Sequence, residues 1–135
     1  MAIPNQFRLV VVTPEKTLLD ESVDSVQVPL YDGMAGIFPG RAPMVGRLGF
    51  GEMAVNAGGS KRVWFIDGGF VQVSGNVTSV LTNRAVLPEK LEPSVAEKKL
   101  AEANAIVPKN EAAFDAKERE QERNRRIISV ARKSR

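Results

Sequence analysis

The sequence predicts a β + α protein, with a small antiparallel β-sandwich over residues 1–88 and a two-helix antiparallel hairpin over residues 89–135. Three observations carry that division. Before Pro88 the chain breaks into short β-branched stretches separated by glycine and proline, the pattern of a sandwich or barrel rather than of alternating strands and helices. From Glu89 onward glycine vanishes and Ala, Glu, Lys and Arg dominate, all good helix formers. Charge divides at the same place. Up to Pro88 the bases Arg8, Lys16, Arg41, Arg47, Lys61, Arg62 and Arg84 balance the acids Glu15, Asp20, Glu21, Asp24, Asp32, Glu52 and Asp67, so the remainder carries the whole net charge of +3. Two parts with different partners are expected.

The first strand runs from Phe7 to Thr13, with Phe7, Leu9 and Val11 on one face and Pro14 closing it. Thr17 to Asp20 is a second strand and Val23 to Leu30 a third, with Val26 and Val28 inward and Ser25 and Gln27 outward. The stretch from Val28 to Pro43 is the most punctuated in the chain. Pro29, Pro39 and Pro43, with Gly33, Gly36 and Gly40, enclose a short apolar strand from Met34 to Phe38. Proline fixes φ and glycine admits positive φ, so two tight turns around one strand are expected, a surface ridge of fixed shape.

Met44 to Leu48 and Glu52 to Ala57 read as two short strands separated by Gly49 and Gly51. Gly58-Gly59 is a hairpin turn into Lys61 to Ile66, which is apolar on both faces from Val63 and therefore expected at the centre of the sheet. Gly68-Gly69 interrupts before Phe70 to Val73. Gly75-Asn76 turns the chain into Val77 to Thr82, and Arg84 to Leu87 is a last extended piece.

In the second part, Pro93 suits the first helical position, and Glu92 before it is favoured by the helix dipole. Val95, Ala96, Leu100, Ala103 and Val107 fall at helical spacing on one face. Pro108-Lys109-Asn110 breaks the run, with Asn110 as the cap of a second helix. That helix carries Phe114 near its start and Ile127, Ile128, Val130 and Ala131 near its end, but no apolar residue between Lys117 and Arg126. Pairs such as Glu122–Arg126 add a few tenths of a kcal/mol each. A helix so polar docks weakly, so a hairpin able to leave the sandwich and change partners is expected.

The composition disfavours catalysis. Cysteine and histidine are both absent, which removes thiolate chemistry, the commonest general base, the commonest metal ligand and every Ser-His or Cys-His pair. An enzyme would have to work with carboxylates, lysine or tyrosine. No glycine-rich phosphate loop precedes a helix, and Gly58-Gly59-Ser60-Lys61 reads as a hairpin turn. Asp20, Glu21 and Asp24 fit strand edges, Asp67 a turn, and Trp64 and Phe65 the core. No run approaches the ~20 apolar residues of a membrane span, and Met1 to Gln6 lacks a signal-peptide pattern, so a cytoplasmic chain is expected. Beyond Glu122 only bases remain: Arg123, Arg125, Arg126, Arg132, Lys133 and Arg135. Three readings of that tail stand on the residues alone: a solvated helix end, a nucleic-acid contact lacking aromatics for stacking, or a surface for an acidic protein.

The order of motifs resembles the epsilon family of F-type ATP synthase subunits, whose mitochondrial counterpart is called delta. Val10-Val11-Val12-Thr13-Pro14-Glu15 is similar to the family's first strand. Gly33-Met34-Ala35-Gly36-Ile37-Phe38-Pro39-Gly40-Arg41-Ala42-Pro43 resembles its G-x-x-G-x-x-P-G-H-A-P signature. Asp67 to Val73 and Asn76-Val77-Thr78 resemble its G-G-F/I-x-x-V and N-x-V-T hairpin. The resemblance implies a non-catalytic rotor subunit of the central stalk of a proton-translocating synthase, without a cofactor, coupling rotation to ATP synthesis in the catalytic head.

By the same resemblance, the sandwich would bind the gamma subunit and the ring of c subunits, with Tyr31, Asp32, Met34, Ile37, Phe38, Arg41 and Pro43 as contact candidates. The hairpin would inhibit ATP hydrolysis when extended into the alpha/beta head, with Arg119, Arg123, Arg125, Arg126 and Arg132 facing acidic loops of the beta subunits. No nucleic-acid partner is implied. The subunit would meet the cytoplasmic face of the bacterial inner membrane only peripherally, through the complex. Two departures matter. Arg41 stands where the family usually has histidine, so any pH sensing there is lost, while the contact to acidic or carbonyl acceptors persists. The I/L-D-x-x-R-A nucleotide motif of some members is degenerate here, with Glu92 for Asp and Val95 for Arg beside Leu91 and Ala96, so weak or no ATP binding is expected. The alternative to the rotor subunit is a stand-alone β-domain that binds nucleic acid through its basic tail.

Overall fold

Eight strands form one hydrogen-bonded sheet in the order β2-β1-β7-β6-β5-β3-β4, with β8 on β6, among the residues 5–133 that the computed structural model describes. Met1 to Pro4, and Ser134 and Arg135 of the basic tail, lie outside the described residues. The strands are β1 (Phe7–Val12), β2 (Thr17–Val23), β3 (Ser25–Leu30), β4 (Gly33–Ile37), β5 (Met44–Ala57), β6 (Ser60–Ser74), β7 (Val77–Leu81) and β8 (Ala85–Val86). The chain divides into two compact units, one up to Val86 and one from Leu87.

The first unit is built on β5 and β6, which pair along their whole length from Ala57↔Ser60 to Met44↔Val73. One end of this long hairpin carries β3, with Ser25↔Asn56 and Val26↔Val55. The other end carries β7, with Phe70↔Leu81 and Ser74↔Val77. A strand that serves both layers of a sandwich must bend, and glycine makes bending cheap. Gly68 and Gly69 take φ of +69° and +108° in the middle of β6. The expected breaks in this region are therefore bends. The two short strands expected on either side of Gly49 and Gly51 are one strand of 14 residues, and those on either side of Gly68-Gly69 are one of 15.

The sheet folds back over itself without closing into a barrel, since its end strands β2 and β4 do not pair. Arg62 of β6 pairs with Glu21 of β2, although β2 lies at the far end of the strand order, and its guanidinium covers the Trp64 ring at 5.6 Å. Every strand pairing is antiparallel except β1 with β7, which run parallel from Arg8↔Val77 to Val12↔Leu81. A parallel pair needs a long crossover, and here everything from β2 to β6 supplies it. Leu9, Val11, Val23, Val26, Val28, Val55, Ile66, Val71 and Val80 are fully buried, each contributing roughly 1.5–3 kcal/mol by leaving water. As its two-sided apolar pattern predicts, β6 is central and buries Phe65 as well as Ile66.

The second unit opens with a 3₁₀ turn, Pro88–Lys90, and continues as α1 (Pro93–Ala105) and α2 (Glu111–Lys133). Glu92 occupies the N-cap of α1 with Pro93 just inside, and Asn110 caps α2, its Oδ1 accepting the Ala113 N–H at 2.8 Å. The apolar face of α1 is narrower than its spacing predicts. Ala96 and Ala103 are buried, whereas Val95 is exposed and Val107, 82% exposed, falls outside the helix. Pro108 accounts for the loss of Val107, since a residue before proline is driven out of the helical region. The polar middle of α2 meets α1 through side-chain hydrogen bonds. Gln121 Nε2 donates to Asn104 Oδ1 at 2.7 Å, and Lys117 Nζ to the Ile106 carbonyl at 2.8 Å.

Candidate functional site

The ridge rises from a seat of glycines. Pro29 lies over Gly51, where a β-carbon would stand 3.0 Å from Pro29 Cβ. A β-carbon on Gly49 would stand 3.2 Å from the Leu30 carbonyl oxygen, and one on Gly46 3.1 Å from Leu30 Cδ2. The bare surface of β5 therefore receives Pro29 and Leu30 at close range. Proline has no N–H to give the ladder, and the β3–β5 register shifts between Gln27 and Leu30. Pairing resumes beyond it, where the Tyr31 N–H donates to the Arg47 carbonyl at 2.8 Å.

From this seat the chain turns through Tyr31 and Asp32 into β4, an edge strand paired from Leu30↔Gly33 to Val26↔Ile37. Gly33 carries the turn at φ +139°. The second turn runs through Pro39 and Gly40, the latter at φ +82°. The two turns hold Tyr31, Met34 and Phe38 at 69%, 61% and 59% exposure. Asp32, Arg41 and Pro43 are exposed as well, but Ile37 is not. At 1% exposure its side chain belongs to the sandwich core and anchors the ridge from below. Arg41 Nη1 donates to a carbonyl of its own chain, the Gly36 oxygen, at 2.6 Å.

The exposed surface extends past the residues singled out from sequence. Arg47 lays its guanidinium over the Tyr31 ring, 4.6 Å from the centroid. In the sheet register Arg47 faces Phe70, and Phe70 faces Leu81, both of these apolar side chains exposed. The signal for Phe70 is the alternation of β6: with Val71 and Val73 inward, Phe70 must point outward. Nothing comparable marks Arg47, whose place over Tyr31 depends on where the ridge folds.

On the hairpin, Arg132 pairs with Glu97 across the two helices at 2.7 Å. Arg126 pairs with Glu122 at 2.8 Å and Arg123 with Glu120 at 2.5 Å, both along α2. Arg119 and Arg125 are exposed. The degenerate nucleotide motif is split. Leu91 and Ala96 are buried, while Glu92 and Val95 are exposed.

A family profile described as the beta-sandwich domain of the ATP synthase delta/epsilon chain matches residues 6–88. The chain belongs to the ATP synthase delta/epsilon family. An ATP synthase epsilon chain of Rhodopirellula baltica is 48% identical over 97 residues, 72% of this chain and 76% of the relative. One from a Synechococcus strain is 34% identical over 126 residues, 90% of each chain. The delta/epsilon fold recurs in a chain of the Euglena gracilis mitochondrial ATP synthase assembly of OSCP, F1 and c-ring, with a TM-score of 0.85 and 27% identity. That alignment covers 96% of this chain and 84% of the other. A chain from the central stalk and c-ring of the Tetrahymena thermophila mitochondrial enzyme shares the fold, with a TM-score of 0.80 over 97% of this chain and 99% of the other at 14% identity. The likeness thus extends over the helices as well as the sandwich. The alternative of a stand-alone nucleic-acid-binding domain finds no support among these relatives.

Proposed function

We propose that this chain is a non-catalytic subunit of the rotary central stalk of a proton-translocating F-type ATP synthase. The observation that carries the reading is the likeness over 96% of the chain to a subunit within an F1 and c-ring assembly, together with membership of the delta/epsilon family. In this role the sandwich, residues 1–88, binds the gamma subunit and rests on the c ring, and the ridge is its foot. Torque passes through shape: a ridge seated on glycines and closed by two fixed turns transmits force without yielding. Tyr31, Met34 and Phe38 supply apolar contact area, and Asp32, Arg41 and Pro43 its rim. The complex holds the chain at the cytoplasmic face of the bacterial membrane.

The hairpin, residues 89–135, regulates. Extended, it reaches the alpha/beta head and restrains ATP hydrolysis, with the exposed Arg119 and Arg125 meeting acidic loops. Arg123, Arg126 and Arg132 exchange their pairings within the hairpin for partners on the head. Nucleotide binding at the start of α1 is weak or absent, since Val95 offers phosphate no cation.

Ending the chain after Pro88 tests both halves of the proposal in the assembled enzyme. Hydrolysis is expected to rise while assembly and coupling persist. Unchanged hydrolysis would remove the regulatory role, and failure to assemble would show that the sandwich alone does not hold gamma and the ring. Stoichiometric capture of a gamma subunit by the full chain is expected, and salt-sensitive binding to duplex DNA without such a partner would overturn the rotor assignment.

A further inference from the structure

Two side chains of one turn fold back onto a single residue. Gly36 lies in the edge strand β4, and Arg41 Nη1 donates to its carbonyl oxygen at 2.6 Å. The ring of Phe38 lies against the same residue, since a β-carbon added to Gly36 would stand 3.1 Å from Phe38 Cε2 and 3.7 Å from Cζ. The Arg41 N–H closes the turn onto the Phe38 carbonyl at 3.3 Å, with Gly40 at φ +82° between them. Phe38 nevertheless stays 59% exposed. A large apolar ring is thus held in place on the surface without being buried there.

That combination has a consequence for binding. A phenylalanine on a loose turn would lose rotamer and backbone freedom when a partner took it up, and that loss would subtract from affinity. A ring already fixed avoids most of it. The bond that fixes it has a charged donor, about twice as strong as a neutral one.

We propose that Arg41 is a positioning residue: it latches the 36–41 turn so that Phe38 is presented as a preformed apolar anchor to the ridge's partner. The proposal rests on reading the ridge as a rotor contact, and it goes beyond that reading by stating that Arg41 acts through Phe38 rather than by its own contact. The complementary surface is an apolar pocket the size of one phenyl ring.

The test uses the full chain with Phe38→Ala, Arg41→Ala, Arg41→Lys and the Phe38→Ala/Arg41→Ala double variant, each measured for affinity to a gamma subunit on its c ring. Each alanine variant is expected to lose about tenfold in affinity, the double variant no more than Phe38→Ala alone, and Arg41→Lys to recover part of the loss. Losses that multiply in the double variant would show that Arg41 touches the partner itself, and would overturn the latch. Amide exchange in the free chain provides a second readout independent of any partner. Faster exchange of the backbone N–H at position 41 in Arg41→Ala supports the latch, and unchanged exchange overturns it. If the unsubstituted chain does not bind that rotor at all, the rotor reading fails while the exchange data still decide the latch.

Discussion

Gly69 and Gly58 both have positive φ, +108° and +58°, yet they meet different surroundings. A β-carbon on Gly69 would stand 1.9 Å from the Leu81 carbonyl oxygen of the neighbouring strand, whereas one on Gly58 meets nothing within 4 Å. Gly69→Ala must therefore push two paired strands apart, and Gly58→Ala suffers only the backbone conformation. Urea denaturation is expected to show a loss of about 3 kcal/mol or more for Gly69→Ala and about 1 kcal/mol for Gly58→Ala. Equal losses would mean that conformation alone, not close approach, governs this site. Arg8 of β1 forms two 2.8 Å bonds with Asp20 of the edge strand β2, and the hydrogen bond from Arg8 holds the Asp20 carboxyl below its ordinary pKa. A depressed carboxylate stabilises the fold above its unfolded pKa, about 3.9, and that contribution disappears as pH falls through the native value. The Tm difference between the unsubstituted chain and Asp20→Asn should accordingly be widest near neutrality and close in acid; a difference independent of pH would contradict the assignment.

Among the elements, the hairpin turns were legible because positive φ is a local demand: the glycines of Gly58-Gly59 and Gly75-Asn76 occupy left-handed conformations where the sequence places turns. The helix boundaries at Pro93 and Asn110 were legible for the same reason, since caps and prolines act within one turn of chain. Asn110→Ala is expected to cost the hairpin about 1 kcal/mol, read as earlier loss of helical signal on heating, and no change would mean that Asn110 is not needed as a cap. The length of β5 was not legible. A glycine inside a strand either ends it or makes room for something, and the choice at Gly49 and Gly51 is made by Pro29 and Leu30, about 20 residues away in sequence. The ridge itself was visible as a dense run of proline and glycine. Its internal clamp was not, because the Arg41–Gly36 bond exists only once the second turn is folded, and neither Ile37's burial nor Arg47's place over Tyr31 follows from spacing alone.

At the scale of the whole molecule, the two units differ in how they are held together. The sandwich rests on a continuous apolar core, whereas the middle of the hairpin is joined by Asn104–Gln121 and the Lys117–Ile106 carbonyl bond, with Glu97–Arg132 as a further link. Exposed polar pairs of this kind contribute little each, so the middle of the hairpin is held less firmly than the sandwich core, while Ala96, Ala103, Ile127, Val130 and Ala131 supply the hairpin unit's buried apolar residues. That contrast fits a rigid foot joined to a movable regulator. The proposed contact of the ridge with the ring can be tested cleanly, because the sequence contains no cysteine. A single Met34→Cys substitution at the exposed edge of the ridge, in the assembled synthase, should give a covalent adduct with a c subunit when treated with a short thiol cross-linker and a c ring carrying a cysteine in its polar loop. An assembled, active enzyme in which Met34→Cys never links to the ring would show that the ridge does not rest on it.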